Sequence, residues 1–219
     1  LGVTNDQKTS WDALPEDVRK RLQYEQELLH AESDRGCILV GGALAEEALG
    51  KLLRVVCRDV RGRDKGTIAD ALIGTERPLG TFSARIDACY AFGLVTTNEW
   101  KDLHALRELR NGAAHFESHK AKRGFETGFE HPATAERCRK FKIIADWKRR
   151  DEFTPREVFV AVVSSLVGRV EGKADAARDD IAGGASRGDA LARFSRMTAD
   201  EEPYLFATLV PRSEWEEKP

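Results

Sequence analysis

The chain has 219 residues, 41% of them hydrophobic and 33% charged, and its formal net charge is −2. That balance fits a soluble globular protein rich in surface helices. It excludes a uniformly basic polyanion binder, so any nucleic-acid surface has to be a local patch. No apolar run approaches the roughly 18 residues of a membrane span, and no membrane partner is expected. The polar N-terminal stretch lacks a positive-then-apolar signal pattern. Cys37, Cys57, Cys89 and Cys138 are widely spaced with no CxxC pair. A reduced, cytoplasmic setting with four buried thiols is therefore expected, rather than disulfides or zinc.

In chain order the pattern is helical throughout. Residues 12–30 read as a first helix with Leu22, Leu28 and Leu29 on its apolar stripe and Pro15 in its first turn. Residues 34–59 are apolar nearly all round, the mark of a central helix. Gly41, Gly42 and Gly50 weaken its propensity, so close packing must compensate. A turn and a short helix bearing Ile68, Leu72 and Ile73 follow. The loop from Gly74 to Thr81 superficially resembles a phosphate-binding loop, but it lacks the Gly-Lys-Ser/Thr ending and no strand precedes it, so it is read as a connector. Thr81 or Ser83 caps the next helix, over residues 82–92, which stops at Gly93.

Thr96 and Glu99 form a capping box for a helix that runs into the segment at 106–115. Residues 124–132 read as a loop and 133–147 as a basic helix. Thr154, Pro155 and Glu157 mark another strong start, for a second core helix. After Lys173 the pattern weakens, Gly183 and Gly184 break it, a short helix is expected near 189–196, and 204–210 is a short strand or extended arm. The expected fold class is all-α: a helical domain over 1–173 and a C-terminal extension over 174–219.

The segment richest in chemistry is Leu-Arg-Glu-Leu-Arg-Asn-Gly-Ala-Ala-His at 106–115. Arg110 can clamp a phosphate in a planar fork, and His115 can move protons near neutral pH. On a helical wheel His104, Glu108, Asn111 and His115 share a polar stripe, whereas Leu103, Leu106, Leu109 and Ala113 share the apolar side. Arg110 falls on the apolar flank, where a permanent charge needs a partner: Glu46 or Glu47 on the central helix, or a symmetry-related site across a dimer. In a regular helix Arg110 and His115 point about 140° apart, so joint action on one phosphate needs a loosened last turn at Gly112 or a second subunit. Two readings stay open: a catalytic Arg110, Asn111 and His115, or a buried polar latch between helices. Glu46 or Glu47 as a general base is the weaker alternative to pairing with an arginine. His119 and His131 read as solvated, and no His, Cys or Asp cluster has metal-ligand spacing, so neither metal nor cofactor is expected.

One charge feature is local. From Lys120 to Arg150 there are ten basic residues against four acidic ones, with Phe141 and Trp147 interleaved. Lys120, Lys122, Arg123, Arg139 and Lys142 are the candidate contacts for an RNA or DNA backbone; the alternative is an ordinary solvated basic face.

The Ser-Asp-Arg-Gly-Cys-Ile-Leu-Val run at 33–40, Leu-Ala-Glu-Glu-Ala-Leu at 44–49, Pro-Leu-Gly-Thr-Phe-Ser-Ala-Arg-Ile at 78–86, Ala-Phe-Gly-Leu-Val at 91–95 and the Arg107 to His115 segment resemble, in order, the mannitol operon repressor (MltR) family. The Thr154-Pro155-Arg156 helix start is similar too, and the likeness spans roughly 33–170. It implies an all-helical protein connected with repression of sugar-alcohol transport genes. Without an evident helix-turn-helix, such a protein would act as a homodimer or through a protein partner. Arg110, Asn111 and His115 also resemble the Arg-x(4–6)-His signature of the HEPN superfamily. That resemblance implies a HEPN-like helical bundle. In its active form it implies a metal-independent ribonuclease in which Arg110 holds the scissile phosphate, Asn111 positions it and His115 shuttles protons. The leading expectation is the regulator, and the ribonuclease is the alternative.

Overall fold

A computed structural model of the chain describes residues 16–58, 60, 66–114, 128–145 and 150–196. Among these the architecture is all-α, with no strand. The helices are α1 (Glu16–Ala31), α2 (Asp34–Val56), α3 (Ile68–Ile73), α4 (Phe82–Ala91), α5 (Thr97–Ala114), α6 (Pro132–Arg139), α7 (Pro155–Ala182) and α8 (Arg187–Arg196).

Local chemistry sets most of these boundaries. The α2 helix starts at Ser33, whose hydroxyl accepts the Gly36 N–H at 3.1 Å. Thr81 caps α4 by accepting the Ala84 N–H at 3.2 Å. The end of α4 is a Schellman turn: Gly93 has φ +68°, its N–H reaches the Tyr90 carbonyl at 3.0 Å, and the Leu94 N–H reaches that of Cys89 at 2.8 Å. The capping boxes expected at Thr96/Glu99 and Thr154/Glu157 both form. A third, Thr67 with Asp70 at the start of α3, has the same form.

The core is a layer of α2 against α7, flanked by α1, α4 and α5. Fully buried Leu49, Leu52, Leu103, Leu106, Phe159 and Leu166 fill it. The all-round apolar reading of α2 matches this central place. Its glycines are where neighbours come closest. A methyl group at Gly41 would meet the Phe159 ring at 3.0 Å, and one at Gly42 would meet the Arg110 stem at 2.7 Å.

Two expectations change. The α6 helix stops at Arg139 instead of running to 147, because Phe141, Ile143 and Ile144 turn into the core and leave the helical path. The pattern that weakens after Lys173 is still helix as far as the break expected at Gly183 and Gly184. The α7 helix continues to Ala182, with Lys173, Ala174 and Ala177 buried, and α8 packs back on it. Of the four thiols, Cys37, Cys89 and Cys138 are buried, but Cys57, just past α2, is half-buried. The arm at 204–210 lies outside the described residues.

Among the described residues no helix is long and apolar enough to cross a membrane.

Candidate functional site

Leu103, Leu106, Leu109 and Ala113 turn the apolar side of α5 into the core, as the wheel requires. Arg110 lies at the edge of that face. Its aliphatic stem runs over Gly42, its Nη1 lies 2.9 Å from Glu46 Oε2, and its guanidinium sits over the Phe82 ring, 5.8 Å from the centroid. The carboxylate partner expected for this arginine is therefore Glu46. Glu47, the next residue, is exposed and pairs with Lys51 at 3.1 Å. Gly42, Glu46 and Gly50 are four apart and share a face, and packing turns that face towards Arg110 and Arg85.

Beyond Arg110 the polar stripe diverges. Asn111 and Glu108 are exposed, and half-buried His104 lies 3.0 Å from Asp87 Oδ1. Arg35 Nε donates to the Ala113 carbonyl at 2.9 Å, satisfying the C-terminal end of α5. His115 lies outside the described residues, as do Lys120, Lys122, Arg123 and His119. Arg139 and Lys142 are exposed, but they do not form a plain basic helix. Lys140 pairs with Glu136 at 2.6 Å, and Phe141 is buried instead of offering a stacking face. His131 is not simply solvated: it is half-buried and its Nδ1 accepts the Ala133 N–H at 3.3 Å, capping α6.

Several residues of the quoted motifs are clasps between helices. Arg85 donates to the carbonyls of Leu79, Ile73 and Glu46, each at 3.0 Å, tying the 78–86 segment to α3 and α2. A methyl group at Gly50 would meet its Nη1 at 3.1 Å. Arg156 pairs with Asp34 at 2.6 Å and donates to the carbonyls of Leu29, His30 and Glu32 at the end of α1. Asp34 Oδ2 in turn accepts the Phe129 N–H at 3.0 Å. One carboxylate thus joins the starts of α2 and α7 to the turn before α6.

Three buried polar groups escape the sequence pattern. Glu99, read there only as a cap, is 1% exposed and accepts Lys173 Nζ at 3.1 and 2.9 Å, with Arg169 Nη1 3.7 Å away. Burial opposes its charge, but Lys173 and the Thr96 N–H hold its carboxyl below the usual range. Asp102 accepts the N–H groups of Lys142 and Ile143 at 2.6 and 2.7 Å, and burial pushes its carboxyl up to about 6. Glu25 is 7% exposed, its Oε2 has no hydrogen-bond partner, and burial together with Glu171 pushes it up to about 7. A buried acid on an otherwise apolar helical stripe was the only available signal for each. Among the described residues no group of three His, Cys, Asp or Glu is placed to hold a metal ion.

Comparison with protein-family models, with curated proteins and with solved structures returned no match.

Proposed function

We propose that this protein is an all-helical regulator of the mannitol operon repressor type, acting as a homodimer or through a protein partner rather than by cutting nucleic acid. The observation that carries this reading is the Arg110–Glu46 pair at 2.9 Å. The arginine that a phosphate-cleaving site would need is held within the subunit, on a carboxylate, over an aromatic ring and against the α2 backbone. An arginine so neutralised joins helices and is poorly placed to stabilise a second negative charge. The clasps made by Arg85, Arg156 and Asp34 support the same view, because they place the quoted motifs in the frame of the bundle.

Two measurements test it. Deleting the gene is expected to raise transcripts of neighbouring sugar-alcohol transport genes; unchanged transcripts would overturn the regulatory reading. Incubating the pure protein with mixed RNA and a chelator, beside His115→Ala, is expected to leave RNA equally intact in both. Cleavage by the wild type alone would establish the metal-independent ribonuclease instead, with Arg110, Asn111 and His115 as its machinery.

A further inference from the structure

A second feature lies at the far end of α2. The last turn of α2, the start of α3, the C-terminal end of α7 and the first residue of α8 line an open cleft of about 430 Å³. Four arginines, Arg54, Arg58, Arg178 and Arg187, and one acidic residue, Asp70, are among its lining residues. That is a strong local excess of positive charge in a chain whose net charge is −2.

The one carboxylate is already engaged. Asp70 accepts Arg54 Nη1 at 2.5 Å and the Thr67 N–H and hydroxyl at 3.1 and 3.0 Å, and these contacts bring its carboxyl down to about 2. Arg178 pairs at 2.6 Å with Asp175, which is not part of the cleft wall. Arg58 and Arg187 have no carboxylate partner among the described residues, and Arg187 Nε is buried without any hydrogen-bond partner. Among the described residues, two arginines without a carboxylate partner thus stand beside two paired ones, and a cleft of that chemistry calls for a dianion.

We propose that this cleft binds a small phosphorylated molecule through a phosphate monoester. Arg58 and Arg187 would take its two charges, with Arg54 at the same wall. Guanidinium forks match the geometry of phosphate oxygens and accept them in pairs. The cleft is within the size range of small-molecule sites, so it admits one phosphoryl group with a compact substituent. A polymer backbone would instead need a track of cations extending past it. Val55, Ala69 and Ile181 supply apolar wall for the substituent. The site rests on these residues alone and is independent of the role of Arg110.

Cys57 lines the same cleft and is the one half-buried cysteine of the four, so it reports occupancy directly. The test uses the full chain in a phosphate-free buffer. Glucose 6-phosphate, inorganic phosphate, glucose and a duplex oligonucleotide serve as probes. Calorimetry measures binding, and mass spectrometry follows N-ethylmaleimide labelling of Cys57. Glucose 6-phosphate is expected to bind and to slow Cys57 labelling, with inorganic phosphate weaker and glucose inert.

Arg58→Ala and Arg187→Ala are each expected to weaken binding about tenfold, the loss of one charge-assisted contact. Arg193→Ala, whose partner is Asp180, should bind as the wild type does. Should Arg187→Ala melt early, exposed Arg58 carries the test alone. The proposal is overturned if glucose 6-phosphate neither binds nor slows labelling. It is equally overturned if Arg58→Ala binds like the wild type, if glucose protects as well as its phosphate does, or if only the oligonucleotide protects.

Discussion

Arg110 Nη1 and Glu46 Oε2 lie 2.9 Å apart, and the arginine reaches that carboxylate only because residue 42 has no side chain. The pair and the glycine form one unit. Arg110→Ala is expected to lower stability by about 2 kcal/mol, through the lost pair, the ring contact and the packed stem. Gly42→Ala should give a similar loss, because its methyl group displaces the stem; combined with Arg110→Ala the two losses should not add. Thermal melts of the three variants check this. An Arg110→Ala protein that melts like the wild type would refute the latch.

A deeper charge pair joins Glu99 to Lys173. Lys173→Met leaves buried Glu99 with Arg169, 3.7 Å away, as its remaining cation and should cost about 3 kcal/mol, whereas Glu99→Gln combined with Lys173→Met should recover much of it. The sign of the pH dependence follows from the depressed carboxyl. Its contribution is fully present above the unfolded carboxylate value and is lost as pH falls through the lower folded value. Urea melts of the wild type and the double variant between pH 2 and 5 on the acid limb measure it, and the double variant should show the flatter curve.

Glu25 acts in the opposite sense. Its carboxyl is raised to about 7 in the folded protein. Below the unfolded value both states hold the proton. As pH climbs towards 7 only the unfolded chain ionises, and folding stability falls. Glu25→Gln should remove that fall and be more stable than the wild type at pH 8 by on the order of 2 kcal/mol. At pH 4 the two should be close. Denaturant midpoints across pH 4–8 decide it, and parallel profiles would show that Glu25 does not titrate there.

Asp102 holds the chain after α6 in its turn by accepting two successive N–H groups. An asparagine there offers one carbonyl oxygen and turns an NH2 towards a second N–H donor. Asp102→Asn should therefore cost about 2 kcal/mol and loosen the segment around Ile143 and Ile144. Amide hydrogen exchange at Lys142 and Ile143 is the direct measurement; unchanged protection would contradict it.

Helix starts and stops were legible in the sequence because they depend on neighbours within four residues. Thr96 with Glu99, Thr154 with Pro155 and Glu157, and Gly93 after α4 each carry their own hydrogen-bond partners. The central place of α2 was legible too, since an all-round apolar helix has nowhere else to go. The need of Arg110 for a partner followed from its position on the wheel, and Glu46 and Glu47 were the two acids inside the apolar stretch of α2.

Only the tertiary structure chose between them. Glu46 shares a face with Gly42 and Gly50, whereas Glu47 turns with Lys51 towards solvent. The joins of Glu99 to Lys173 and of Asp102 to Lys142 span 74 and 40 residues, beyond the reach of any local pattern. The same holds for the arginine cleft, assembled from four segments whose charges look ordinary one at a time. Short-range hydrogen bonding writes helix boundaries into the chain. Where two distant charges meet is decided by how the helices pack.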